Sequence, residues 1–310
     1  MRFSVAIREC EFILLTIFTV PKPFVGHTGI IQRNAIRSWQ QLVPNCQVIL
    51  FGSEEGTAQA ASDLGVVHVS EMQRSEHGAP LLDGMFQRAS ELSTTPLLCF
   101  VNSDIIFKGS IASLIELPAP FLVVGESMDL QVPSLIDFSN PHWRESLGEG
   151  VSRGPFALDY FIFSRELYRS MPPFRVGRAR YDNWMVWHAL KSGAKVIDAT
   201  DVLDPIHQNH DYGHLPGGRK EAYRGPDALH NQKLAGFGCY LYLYSTSDAR
   251  WKLTRDGLKA VPNSFRFLKQ FIRRLTGWAS ERSGLMQPKH LKRTSELQSN
   301  RDVQDGIGKR

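Results

Sequence analysis

The chain is poor in cysteine. Its 310 residues include four, Cys10, Cys46, Cys99 and Cys239, and none forms a C-x-x-C pair. That scatter excludes a disulfide framework and a cysteine zinc site, and it points to a reducing, cytoplasmic setting. Long apolar runs are scarce too. The stretch Phe12–Val20 follows Arg2 and Arg8 and imitates a signal peptide. Glu9 and Glu11 interrupt its approach, no small-residue cleavage site follows, and Pro21-Lys22-Pro23 ends it. It is too short to cross a bilayer, so it reads as the first strand of a sheet. No internal repeat is present.

Charge is unevenly spread. From Met1 to Asp248 there are 21 basic and 26 acidic residues, a net of −5; from Ala249 to Arg310 there are 15 basic and 5 acidic, a net of +10. The sequence therefore divides into a main domain, residues 1–248, and a basic extension, residues 249–310. In the extension Phe265, Leu268, Phe271, Ile272, Leu275 and Trp278 recur at helical spacing with Arg266, Lys269, Arg273 and Arg274 between them. This is a basic amphipathic helix, suited either to an anionic membrane face or to packing on the main domain. Beyond Ser280 the composition reads as disordered.

The main domain alternates strand-like and helix-like segments. Strands are expected at Phe12–Val20, Gln47–Gly52, Val66–Val69, Leu97–Phe107, Phe121–Gly125, Ala157–Phe163 and, last, Lys195–Ala199. Helices are expected at Ile30–Leu42, Glu54–Asp63, Pro80–Leu92 and Tyr181–Ser192, with a short one capped by Ser164. The segment Asp129–Gly154, rich in Pro, Ser and Gly, reads as a long loop able to fold over a ligand. Such alternation argues for an α/β fold with a mostly parallel sheet flanked by helices.

Asn102-Ser103-Asp104 is the most informative triplet. It closes the apolar run Leu97-Leu98-Cys99-Phe100-Val101. A run of that kind is a parallel strand buried on both faces, and its carboxyl end is where open α/β sheets bind ligands. A carboxylate there is placed to hold a divalent cation against a pyrophosphate. The other reading is a turn in which Asn102 and Asp104 cap local backbone groups.

Several segments in order carry a family likeness. They are Thr16–Phe24, Ile31–Trp39, Val48–Gly52, Phe100–Ile105, Gly154–Phe163 and Tyr181–Trp184. Together they resemble a bacterial and plant group of GT-A-type nucleotide-diphospho-sugar glycosyltransferases, over roughly Phe12 to His214. The resemblance implies a Rossmann-like GT-A fold and transfer of a sugar from a nucleotide-diphosphate donor to a hydroxyl of a glycan, lipid or protein. It implies Mn²⁺ or Mg²⁺ as cofactor and no nucleic-acid partner. The family's DXD-like motif falls on Asn102-Ser103-Asp104, so Asp104 would bind the metal. His210 would complete its shell, with His207 as second choice. Asp182 would be the base that deprotonates the acceptor, and Asp159 its rival or an acceptor-binding acid. Lys22 would meet a phosphate. Gln32, Glu54 and Asp83 would line the nucleotide, with Asn102 and Ser103 beside it. Trp143 would stack on the acceptor. An Asp at a helix start is also a plain cap whose pKa the helix lowers, which would make Asp182 a weak base. Two other functions remain in view: a nucleotidyltransferase, for which Pro21-Lys22-Pro23-Phe24 is the wrong phosphate loop, and a noncatalytic relative, which the Asn at position 102 makes conceivable.

Overall fold

The computed structural model describes residues 15–42, 46–111, 117, 119–210, 218–240, 243–262 and 272. Apart from Ile272, the amphipathic helix at 265–278 lies outside the described residues, as do the tail beyond Ser280 and the residues of the first strand before Leu15. Two compact units are present, one of Met1–Tyr240 with Tyr244–Val261, the other of Leu241–Leu243 with Pro262–Arg310. In the second, Pro262 and Ile272 are exposed. Among the described residues no helix is long and apolar enough to cross a membrane.

The elements run in the order β1 (Leu15–Thr19), α1 (Gly26–Gln40), β2 (Gln47–Phe51), α2 (Thr57–Leu64), β3 (Val67–Val69), α3 (Leu82–Leu92), β4 (Leu97–Val101), β5 (Ile105–Phe107), β6 (Phe121–Val124) and β7 (Met128–Leu130). Then come α4 (Trp143–Ser146), β8 (Val151–Ser152), β9 (Tyr160–Ser164), α5 (Tyr181–Lys191), β10 (Lys195–Asp198), α6 (Thr200–Leu203), β11 (Pro205–Gln208), α7 (Gly218–Arg224), α8 (Pro226–Tyr240), β12 (Trp251–Thr254) and β13 (Gly257–Ala260). Among the described residues nine strands form the main sheet, in the order β13-β12-β10-β6-β9-β4-β1-β2-β3. It is mostly parallel: β9 is antiparallel to both β4 and β6, and β13 to β12. A smaller sheet has the order β5-β11-β7-β8.

The apolar runs are continuous because both faces of the main sheet are covered. Side chains alternate between two cores. Phe18, Phe100, Phe161 and Phe163 pack with Phe86 of α3 and Trp184 of α5. Ile17, Cys99, Val101, Tyr160 and Ile162 pack with Ala35 and Trp39 of α1. Phe86 stacks on Phe163, centroids 5.5 Å apart, and meets Phe18 edge-on at 5.0 Å. Replacing Phe86 with Ala is expected to lower unfolding free energy by about 3–5 kcal/mol in a denaturant titration, since the neighbouring rings are held by the sheet and cannot fill the void.

The sequence expectations need correction in six places. The strand expected over Leu97–Phe107 is two strands, β4 and β5, in different sheets. Lys195–Ala199 is not the last strand, for β11, β12 and β13 follow. The hairpin β12–β13 extends the main sheet with residues whose charge had grouped them with the extension. Ser164 ends β9 and accepts a hydrogen bond from Phe121 N (3.1 Å), while turns follow it. Pro80 does not open a helix: it bridges to Arg74, and α3 starts at Leu82. The segment 129–154 is not a free loop. It contains α4 and β8, and its Trp143, Ile136, Phe138 and Leu147 build a third core with Ile106 and Ile206.

Candidate functional site

The site begins where β4 runs out. Val101 still lies in the main sheet, and Ile105 already lies in the small one. The three residues between them make the turn that hands the chain over. Asn102 N donates to Asp159 O (2.9 Å) and Ile105 N to Asn102 O (3.2 Å). Ser103 Oγ donates to Gln32 Oε1 (2.8 Å), which also accepts from Lys22 N (2.6 Å). Gln32 Nε2 donates back to Lys22 O (2.8 Å). Gln32 is wholly buried on α1, so its amide ties the turn to the loop after β1.

Pairing of β11 with β5 brings the histidines to the same place. The antiparallel register sets His207 opposite Ile105, one residue past Asp104. Its neighbour Gln208 turns the other way, under α1, donating to Ile31 O (2.7 Å) and Asp104 O (3.0 Å) and accepting from Asn34 (3.1 Å). His210 follows the strand end. Asp104, His207 and His210 each offer a ligand atom, and these atoms all lie within 4.8 Å of one another.

Asp104 is 6% exposed. Its Oδ2 accepts from His210 Nε2 (2.8 Å) and pairs with Lys22 Nζ at 3.5 Å. Among the described residues its Oδ1 is buried without a hydrogen-bond partner. Burial works against ionisation. The Lys22 charge, the hydrogen bond from His210 and the two imidazoles outweigh it and hold the carboxyl well below the usual range. An ionised carboxylate with a spare buried oxygen, facing two imidazoles, is a donor set that fits a divalent cation.

Behind the triad a chain of polar contacts closes a loop. His207 Nδ1 lies 2.9 Å from Asp129 Oδ1, and that oxygen pairs with Arg153 Nε at 3.1 Å. A carboxylate on Nδ1 fixes the ring with Nε2 free to ligate. Arg153 Nη1 also donates to Asp159 Oδ2, as does Ser127. Asp159 Oδ1 accepts from Asn102 Nδ2 at 2.9 Å. Position 102 is thus occupied by a donor that faces a carboxylate. An Asp there would set two carboxylates against each other. Asn102→Asp is therefore expected to lower the melting temperature at neutral pH, read by calorimetry.

Asp182 sits in the first turn of α5, and its Oδ1 accepts from Asn183 N at 2.8 Å. The expectation that the helix start lowers its pKa is overturned. Burial raises it, against the hydrogen bonds from the Asn183 and Arg180 backbone and the Arg180 charge, and Asp159 adds to the rise. The residue before α5, Arg180, has φ +94°, a backbone angle that a non-glycine side chain rarely adopts. Tyr181, buried, has its hydroxyl pKa raised by burial and then by the charges of Asp182, Asp159 and Asp104, so all three acids act on one ring.

The other expected residues are placed as follows. Lys22 reaches the triad directly, with Nζ 3.0 Å from His210 Nε2. Glu54 holds Arg74 through both oxygens (2.8 and 2.9 Å). Asp83, in the first turn of α3, has a buried Oδ1 with no hydrogen-bond partner among the described residues. Trp143 is not free to stack on a ligand: it is 2% exposed, its Nε1 donates to Gln41 (3.1 Å), and Phe138 covers it at 4.8 Å. Sequence reasoning missed Asp129 and Arg153. No periodic pattern marks them, because each lies on or beside a strand of three residues or fewer.

No family model and no curated protein matches the chain. Among solved structures, the chain is 16% identical to glucosyl-3-phosphoglycerate synthase from Mycobacterium tuberculosis in complex with Mg²⁺ and uridine diphosphate, over 72% of this chain and 79% of that one, with a TM-score of 0.44. It is 19% identical to mannosyl-3-phosphoglycerate synthase from Rubrobacter xylanophilus, over 80% and 86%, with a TM-score of 0.45. It is 9% identical to S. aureus TarS 1-349, over 86% and 73%, with a TM-score of 0.47.

Proposed function

We propose that this chain is a metal-assisted glycosyltransferase that moves a sugar from a nucleotide-diphosphate donor to a hydroxyl acceptor. One observation carries the reading. At the carboxyl end of a central buried strand, Asp104, with one oxygen unpartnered among the described residues, offers a ligand atom within 4.8 Å of those of His207 and His210. Asp104, His207 and His210 would hold a divalent cation, which when bound neutralises charge on a diphosphate leaving group. Two imidazole nitrogens beside a single carboxylate favour Mn²⁺ over Mg²⁺, which prefers oxygen ligands throughout.

The chain's own groups supply the rest. Asp182 takes the proton from the acceptor hydroxyl, since its raised pKa makes it a better proton acceptor than an ordinary aspartate. Asp159 does not compete for this role, because both of its oxygens are already hydrogen-bonded by Asn102, Ser127 and Arg153. Asp129 sets the ring of His207. Gln32 and Ser103 fix the turn that carries Asp104. Asp83, whose buried Oδ1 has no hydrogen-bond partner among the described residues, is the acid left for the nucleoside, while Glu54 is committed to Arg74.

Incubation with a panel of nucleotide sugars and Mn²⁺ tests the reading. Nucleoside diphosphate should be released, and chelation should stop it. Pyrophosphate released from a nucleoside triphosphate and a sugar 1-phosphate would instead make the protein a nucleotidyltransferase.

A further inference from the structure

A cationic side chain reaches into the triad. Lys22 Nζ lies 3.0 Å from His210 Nε2 and 3.5 Å from Asp104 Oδ2, and those two atoms are 2.8 Å apart. The ammonium therefore sits against two members of the triad that would hold a metal. A divalent ion and an ammonium against one carboxylate oxygen repel each other, more strongly in a buried site than in water, so Lys22 in this position opposes a bound ion. Lys22 is only partly buried, with its side chain 24% exposed, so it has a way out. Its backbone has none: Gln32 grips Lys22 N and O, so the side chain moves and the main chain stays.

We propose that Lys22 is a built-in counter-cation that occupies the metal site of the free protein and must be displaced before the ion binds. The proposal rests on the metal-assisted reading above. It has a functional consequence. Free Mn²⁺ binds weakly because it must expel a cation, whereas Mn²⁺ arriving with a diphosphate gives the expelled ammonium an anion to join. Metal and nucleotide therefore bind with positive coupling, each raising the affinity for the other by the same factor.

The test is Mn²⁺ binding to the full chain without nucleotide, followed by the electron paramagnetic resonance signal of free Mn²⁺. Lys22→Met removes the charge and keeps most of the length. It is expected to bind Mn²⁺ roughly tenfold more tightly or better than the wild type, and Lys22→Arg, which keeps the charge, to stay near the wild-type value. Asp104→Asn should abolish binding in every background. The coupling is read by repeating the titration with inorganic pyrophosphate, which should tighten Mn²⁺ binding in the wild type and do so less in Lys22→Met. If Mn²⁺ binding depends on Asp104 but Lys22→Met binds no more tightly than the wild type, the counter-cation proposal is overturned and the metal reading stands. If Asp104→Asn leaves Mn²⁺ binding intact in all backgrounds, or if Mn²⁺ does not bind at all, the metal reading falls and the proposal with it.

Discussion

Replacing Asp104 with Asn is expected to reduce kcat/KM for sugar transfer by about 10²–10³-fold. The substitution keeps the shape of the side chain and removes its charge. The carboxylate is the one anionic member of the triad and is already held ionised by its surroundings. An amide would offer a neutral oxygen and would leave the Lys22 ammonium beside an uncharged group. Steady-state rates measured across a Mn²⁺ titration check the expectation: the variant should not recover at high metal. Full recovery would show that the carboxylate only assists a site formed by other groups.

Asp182→Asn should lower kcat by about 10²–10⁴-fold with little change in KM, since an amide cannot accept the acceptor's proton. Its pH behaviour is separately informative. A base works when ionised, so wild-type activity should fall as pH drops through a pKa raised above the ordinary aspartate value by burial. That acid limb should be absent in the residual activity of the variant. Stability should move the opposite way. Because the folded pKa lies above the unfolded one, the native state binds more protons than the unfolded chain between the two values, and stability falls as pH rises through that window. Above it the wild type carries a disfavoured charge that Asn lacks. The variant should therefore melt no lower than the wild type at neutral pH while being nearly inactive. A variant that both melts early and loses activity would mark Asp182 as a helix cap alone.

Much of the architecture was legible because burial on two faces leaves a plain mark. Leu97-Leu98-Cys99-Phe100-Val101 needs no polar positions when Phe100 enters one core and Cys99 and Val101 the other. The same rule hid the most consequential break. Apolar residues flank the Asn102–Asp104 turn on both sides, so the passage from one sheet to the next looks like a single strand. The small sheet was nearly invisible for a different reason. Strands β7 and β8 have three and two residues, too few to show a period of two. Trp143 was misplaced because its segment is rich in Pro and Ser, although Ile136, Phe138 and Leu147 were enough to roof a small core. The choice of Asp104 and His210 followed from motif position. The contacts of Asp159 with Asn102, 57 residues away, follow only from strand pairing.

The strand β11 carries an arithmetic constraint. His207 faces Asp129 on one side of the small sheet, and Gln208 is locked beneath α1 on the other. Inserting a single residue ahead of them within the paired segment would exchange the two, placing an amide among the acids and an imidazole against the helix backbone. Two inserted residues would restore the order. Within β11 the count between Pro205 and His207 can change only in steps that preserve odd and even.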